Sequence, residues 1–315
     1  MYLKNHRICP ACHSERVVNL ESIPTLYIAN SWSKFEPEAG QILLNYIEEK
    51  TVPATVKIDK CCLCGLEFAN PMFAVSNDWY ANFEKYGWRW EFYQCLKDLS
   101  GNQTTILEVG CGEGYFLDLA RCKGYKAVGI DFNRKAVEIA KEKGMEAYVS
   151  NINSVKLYND QKFNAVVFFH VIEHLDNLET FFKDISEIMP TNSTLHFSCP
   201  GPRRFTTHLE NKRVGLRDVW DYPPFHQSRW NLNAADKLLL RFGWKLEKYL
   251  EEPFDWRGVS SLLVSQDLAE KKLNLSELSS FARKKLILKK MFQTLIPSFK
   301  YSGMSMYCAA RRQLL

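Results

Sequence analysis

TTILEVGCGEGYFLDLARCKG, Thr104–Gly124, is the stretch from which the rest of the chain is read. TTILEV is β-branched and apolar, which suits a buried strand. Gly110, Gly112 and Gly114 follow, and YFLDLARCKG then has the spacing of an amphipathic helix stopped by Gly124. Downstream the pattern repeats. KAVGID (126–131) reads as a second strand, and NRKAVEIAKEKG as its helix, stopped by Gly144. EAYVSN (146–151) reads as a third strand and FNAVVFFH (163–170) as a buried fourth. NLETFFKDISEIM is helical, and STLHFSCP (193–200) is a fifth strand. Strands alternating with helices predict an α/β, doubly wound fold with a mostly parallel sheet, whose ligand lies at the carboxyl ends of the strands.

Glycine lets the turn at 110–114 bend tightly and approach a ligand closely. A dinucleotide fingerprint needs G-x-G-x-x-G, but here the third glycine comes one residue early and Tyr115 stands in its place. Polar residues mark three successive strand ends. Glu108 lies two residues before the first glycine. Asp131 ends the second strand, where an acid reaches ribose hydroxyls. Asn151 ends the third, where an amide meets an adenine edge. The three define one crevice for a nucleoside.

ILEVGCGEGYFLDLA followed by GIDFN resembles the class I S-adenosylmethionine-dependent methyltransferases, over roughly residues 104–250. The resemblance implies a seven-stranded Rossmann-like sheet with S-adenosyl-L-methionine as cofactor. Glu108, Gly110, Cys111, Gly112 and Gly114 would then pass beside its methionine part, and Asp131 would bind its ribose diol. Phe132 would flank the adenine, with Asn151 and Ile152 bordering it. The family's F-x-x-V-x-x-x-x-V-x-E-H-L segment matches Phe163–Leu175.

That segment contains HVIEH, His170–His174, which on its own matches an H-x-x-E-H zinc-peptidase signature. A peptidase needs both histidines on one face of one helix. Here NAVVFFH runs into the motif as a strand, so His170 is expected at a fourth strand end, bordering the cofactor, with Glu173 and His174 shaping the turn.

A second constellation lies near the N-terminus. Cys9-Pro-Ala-Cys12 and Cys61-Cys-Leu-Cys64 have the C-x2-C…C-x2-C spacing of a four-thiolate structural Zn²⁺ site. Cys62 is an extra thiol, and Cys61 is preferred because it keeps the two-residue gap. The 48 intervening residues require an insertion between the knuckles. CPACHS and CCLCGLEFANP also resemble the zinc-ribbon leader of a subset of these methyltransferases.

After the fifth strand comes DVWDYPPFHQSRWN (218–231), with Pro223 and Pro224 stiffening an aromatic loop. Its P-P-x-H resembles a segment of the same subset, whose members include enzymes acting on sugars and specialised metabolites. An oxygen or nitrogen acceptor must lose a proton, and His226 is the first candidate base. His208, Tyr222 and Asp221 are reserves, and Arg229 is a candidate for an anionic group on the substrate or a surface ion pair. The aromatic segment 79–93 is read as packing, with a lid over the cofactor as the alternative. FARKKLILKKMFQTLIPSF (281–299) puts Phe281, Leu288, Met291 or Phe292, Leu295 and Phe299 on one face. Lys284, Lys285, Lys289 and Lys290 lie beside it. A helical insertion is preferred to peripheral membrane contact, before a last strand, SMYCAARR.

Three sections are expected: a zinc-ribbon module with insertion over 1–75, an aromatic helical linker or lid over 76–100, and a methyltransferase domain over 101–315. The last carries a loop insertion at 200–230 and a helical insertion at 259–300. Composition agrees: of 315 residues 46% are hydrophobic and 24% charged, so a packed core is expected. A net charge of +5 does not call for nucleic acid. No run reaches the ~18 apolar residues of a membrane span, and MYLKNHRICPACHSE has no apolar leader core. A cytoplasmic location follows, and ten cysteines there read as thiols and metal ligands. The expected function is methyl transfer to a small molecule, of sugar or nucleotide-linked-sugar type. The alternatives are a non-catalytic zinc-ribbon adaptor and, further off, the peptidase.

Overall fold

The computed structural model describes residues 8–76, 79–80, 86–99, 104–155, 163–204, 219–254, 264, 279–295 and 301–313. Val17–Pro24 (β1) pairs antiparallel with Thr55–Cys61 (β2), and β2 pairs antiparallel with Glu67–Asn70 (β3). The insertion between the two Cys pairs supplies β1 together with two helices, Thr25–Phe35 (α1) and Pro37–Glu48 (α2). They pack closely: a Cβ on Gly40 would lie 2.0 Å from Ser33 Oγ. A cluster of Ile28, Trp32, Leu43, Val56, Ile58 and Trp79 forms the core here.

Trp90–Asp98 (α3) precedes the repeating units: Thr105–Val109 (β4), Tyr115–Cys122 (α4), Lys126–Asp131 (β5), Arg134–Glu142 (α5), Ala147–Val149 (β6), Ala165–Phe169 (β7), Leu178–Ile188 (α6) and Thr194–Pro200 (β8). β4 pairs parallel with β5 and β7, β5 with β6, and β7 with β8. β7 reads AVVFF and every residue is buried, as covering helices on both faces require. Gly124 and Gly144 lie past the ends of α4 and α5 at φ +82° and +80°, the left-handed stop only glycine adopts cheaply. At the helix starts, the side chains of Asn133 and Asn177 accept from Ala136 N and Thr180 N. β6 is shorter than its sequence suggests, so Asn151 lies two residues beyond the strand.

The chain continues through Ser228–Arg229 (β9), Leu232–Arg241 (α7), Trp244–Glu251 (β10), Ser280–Leu295 (α8) and Ser305–Arg312 (β11). The large sheet has seven strands in the order β10-β11-β8-β7-β4-β5-β6. Arg312 N donates to Ser193 O and Gln313 N to Gly243 O. The end of β11 therefore meets the starts of β8 and β10, and β11 is antiparallel to both. β9 belongs instead to the four-stranded sheet β1-β2-β3-β9, where Phe68 faces Ser228. The doubly wound, mostly parallel sheet is thus present as expected. The chain clusters into two units, one comprising 201–218 and 251–306. In that unit α8 exposes Phe281, Leu288 and Phe292, and Glu252 Oε2 accepts from Met304 N and Ser305 N. Phe299 and much of the expected insertion at 259–300 lie outside the described residues. No described helix is long and apolar enough to cross a membrane.

Candidate active site

The glycine turn joins β4 to α4. Gly110, Gly112 and Gly114 have φ of +77°, +50° and +80°. Two of them also leave no room for a side chain. A Cβ on Gly110 would lie 2.5 Å from Val171 Cγ2, and one on Gly112 would lie 2.1 Å from the Tyr86 ring. The carboxylate of Asp131, at the end of β5, closes this turn. One of its oxygens accepts from Gly112 N at 2.8 Å and the other from Asn133 N at 2.7 Å. A carboxylate offers about four lone-pair sites, so each oxygen keeps one for a further donor.

Glu108 sits beside it at the end of β4, 3% exposed. Its Oε2 has no hydrogen-bond partner among the described residues. Burial, reinforced by the Asp131 charge, pushes the Glu108 carboxyl well above the usual glutamic range. Burial also raises Asp131, against the backbone N–H groups that lower it. Two neighbouring acids, one with an orphaned oxygen, form a site suited to a cation. S-adenosylmethionine carries two, its sulfonium and its ammonium, and a ribose diol to match the two remaining sites on Asp131. Of the other expected contacts, Phe132 is exposed and Ile152 and Cys111 are buried. Asn151 is exposed, and its side chain accepts from Ser154 N.

His170 follows β7 at φ +55°, a rare conformation for a non-glycine residue. Its ring reaches Glu91 of α3 at 3.1 Å through Nε2 and Glu173 at 3.2 Å through Nδ1. Burial lowers the His170 pKa, but the two carboxylates outweigh it and the net shift is upward. Ile172–His174 makes one 3₁₀ turn. His170 and His174 therefore do not share a helix, and the peptidase arrangement is not formed. Glu173 and His174 do more than shape this turn, because they meet His226. The His174 and His226 rings are 5.0 Å apart, and His174 Nδ1 donates to Phe225 O at 2.6 Å. Burial takes His174 down to about 4. Burial pushes Glu173 up, but the His170, His174 and His226 rings overcome it and bring the carboxyl to about 2.

The 219–231 loop is bolted from both sides. Gln227 N donates to Glu173 O at 2.7 Å, and Ala69 N donates to Gln227 O at 2.8 Å. The Gln227 side chain accepts from Phe73 N and donates to Phe73 O. Trp32 stacks edge-on with Trp79 and Trp220 and packs on Phe225, so the loop shares the N-terminal core. His226 is buried, with Nδ1 3.2 Å from Asp221 Oδ1. Two reserves take other places: Tyr222 donates to Glu21, and Asp221 supports His226. His208 lies outside the described residues. Arg229 takes the ion-pair role: it faces Glu67 and Glu21, donates to Asp221 O, and lies over the Tyr222 ring.

The thiols of Cys9, Cys12, Cys61 and Cys64 all lie within 4.8 Å of one another, while Cys62 is exposed. The two knuckles share a backbone device, since His13 after Cys12 and Gly65 after Cys64 are both left-handed, at φ +59° and +76°. Leu63 N and Cys64 N point at Cys61 Sγ. Cys9 Sγ and Cys64 Sγ lie 3.5 Å apart, and this contact brings the Cys9 thiol down to about 5 against burial. Four such sulfurs fit tetrahedral Zn²⁺.

Three participants are not singled out by sequence. Tyr86, whose ring covers Gly112 and whose hydroxyl accepts from Asn133 Nδ2, is hidden in an aromatic run where every second residue is a candidate. Glu91 has no motif around it. Asp221 is named only as a reserve base, because its pairing with His226 is a matter of loop geometry.

A family model described as a methyltransferase domain matches residues 80–249, more than half of the chain. A protein named "Probable S-adenosylmethionine-dependent methyltransferase" from Mycobacterium tuberculosis (strain ATCC 25618 / H37Rv) is 28% identical over 141 residues, covering 44% of this chain and 47% of that protein. A mitochondrial ubiquinone biosynthesis O-methyltransferase of Dictyostelium discoideum is 31% identical over 109 residues, 30% of this chain and 34% of its own. The chain thus spans about half the length, or less, of these two relatives. A solved S-adenosylmethionine-dependent methyltransferase from Archaeoglobus fulgidus is 16% identical, with 70% of this chain and 91% of that one covered at a TM-score of 0.46. With the glycine turn, the strand-end acids and the family model in agreement, the chain belongs to the class I S-adenosylmethionine-dependent methyltransferases.

Proposed function

We propose that this protein transfers a methyl group from S-adenosylmethionine to a small-molecule acceptor. The observation that carries the reading is the pair of acids at adjacent strand ends, Glu108 buried and Asp131 half-buried, with the orphaned Glu108 oxygen beside a turn that excludes side chains. Bound there, the cofactor supplies an electrophilic methyl group. Asp131 holds its ribose, Glu108 balances its positive charge, and the glycine backbone lets it approach. Phe132 flanks the adenine, with Asn151 and Ile152 at its border. The acceptor enters on the side of His226, the residue of the 219–231 loop that activates it. The resemblance of the P-P-x-H loop supports an acceptor of sugar or nucleotide-linked-sugar type. The four thiolates hold a structural Zn²⁺. Purified protein is expected to bind S-adenosylhomocysteine saturably, in calorimetry, and to label a small-molecule fraction from the cofactor's methyl group. Absence of saturable binding sinks the reading; binding without any turnover leaves the adaptor.

Glu108→Gln separates function from stability. Losing the charge removes a charge-assisted contact worth about 1.5–3 kcal/mol, so S-adenosylhomocysteine is expected to bind roughly 10- to 100-fold more weakly. Without ligand the variant is expected to be the more stable protein at neutral pH. The folded-state pKa of Glu108 lies above the unfolded one, so the folded state binds the extra proton. Its penalty is absent below the unfolded value of about 4.3 and grows as pH rises through the folded value. Thermal melts of the two proteins should therefore converge at acid pH and separate as pH rises; parallel curves would show that Glu108 is not buried as a carboxyl.

A further inference from the structure

Glu173, His174 and His226 each offer a ligand atom within 4.8 Å of the other two. We propose that they bind a divalent transition-metal ion, and that this ion, separate from the thiolate cluster, holds the oxygen of the methyl acceptor. The ion's role rests on the methyl-transfer reading above; the site itself does not.

Each ring already has the support a metal-bound imidazole needs. A carbonyl only accepts, so His174 Nδ1 carries its proton toward Phe225 O and leaves Nε2 as the lone pair. His226 Nδ1 is directed at the Asp221 carboxylate in the same way. An outer carboxylate or carbonyl on the second nitrogen is the usual partner of a ligating histidine. The third member gives the independent sign. Glu173 is 1% exposed, and neither of its oxygens accepts a hydrogen bond among the described residues. His170 Nδ1 lies 3.2 Å from Oε1, so at most one oxygen is engaged and the other is left for an ion. A buried carboxylate oxygen left without a donor is costly, whatever charge faces the group as a whole.

Two imidazoles and one carboxylate select zinc, cobalt, nickel or iron over magnesium and calcium, which prefer all-oxygen sites. Three protein ligands leave coordination positions open, as catalytic sites do and closed structural sites do not. Bonds of about 2.0–2.1 Å place ligands of one tetrahedral ion roughly 3.4 Å apart, so the cluster must draw in by an ångström or so. The His174–His226 pair is tilted at 57° rather than stacked, which leaves that movement open. An acceptor with two neighbouring oxygens, such as a sugar diol, fits the open positions. The ion lowers the pKa of the bound hydroxyl and its proton passes to solvent. The O–CH₃ bond forms as the S–CH₃ bond breaks, and the bonding pair returns to sulfur. His226 is then a ligand rather than a base.

The probe is Co²⁺ alone, titrated into full-length protein whose thiolate cluster is filled with Zn²⁺. One equivalent is expected to bind with visible d–d absorption but without the ultraviolet thiolate charge-transfer band. Glu173→Gln and His226→Ala are each expected to weaken it at least 100-fold, and Asp221→Asn by roughly 10- to 100-fold. S-adenosylhomocysteine binding is measured on every preparation: retained binding shows that a variant has folded. Its loss everywhere would overturn the methyl-transfer reading and leave the cobalt result standing. No cobalt outside the thiolates, or unchanged affinity in His226→Ala, overturns the site. Equal turnover with and without the added ion, the thiolate cluster filled with Zn²⁺ in both, overturns the ion's role and returns His226 to base catalysis.

Discussion

Replacing Cys61 by serine is expected to release the bound zinc and to lower the melting temperature by roughly 10–20 °C. Structural zinc contributes about 10–16 kcal/mol in small modules, and a surviving three-thiolate site retains part of that. A net loss near 5 kcal/mol, at about 2–4 °C per kcal/mol for a large domain, gives this range. The effect should not stay local. Cys61 ends β2, β2 pairs with β3, and β3 pairs with β9 just beyond His226. The first knuckle is held from the other side, where Arg241 of α7 donates to Pro10 O and Ala11 O and pairs with Glu179. Loss of the metal should therefore disorder the acceptor side as well, and turnover should fall further than cofactor affinity. Cys62→Ser is the control, because that thiol is exposed and outside the cluster. Metal analysis with calorimetry decides: unchanged zinc in Cys61→Ser, or an equal loss in Cys62→Ser, would overturn the assignment.

The division between what sequence showed and what it hid follows the range of the interactions. Gly124 and Gly144 stop their helices through their own φ angles, and AVVFF is buried because every residue is apolar. Such signals lie within a dozen residues, so the crossover units and the sheet could be read directly. Asp131 was legible for the same reason, lying at a strand end a fixed step from the glycines. The Glu91–His170 contact joins residues 79 positions apart, and the His174–Phe225 bond spans 51. Neither has a local pattern. Arg229 illustrates the limit. Sequence leaves it between a substrate clamp and an ion pair, and the partners that take up its charge, Glu21 and Glu67, lie far away in the chain. The 48-residue insertion looked like an interruption of a ribbon, yet it builds the hydrophobic floor under the His226 loop through Trp32.

Asp131→Ala is expected to weaken S-adenosylhomocysteine binding by roughly 10²- to 10⁴-fold. Two charge-assisted hydrogen bonds to a ribose diol contribute about 1.5–3 kcal/mol each, and each 1.4 kcal/mol is about tenfold. The same substitution leaves Gly112 N and Asn133 N without their acceptor, which loosens the turn that must approach the ligand. Asp131→Asn sorts the two effects. The amide keeps one acceptor oxygen, so it can hold one of the two N–H groups but not both, and it carries no charge. If ribose binding dominates, the asparagine variant should melt close to wild type yet bind weakly. If the turn dominates, affinity and melting temperature should fall together in both variants. Alanine and asparagine variants that bind as tightly as wild type would remove Asp131 from the cofactor site. The four N-terminal thiols provide the internal reference: zinc content should be untouched in both, because neither substitution reaches the knuckles.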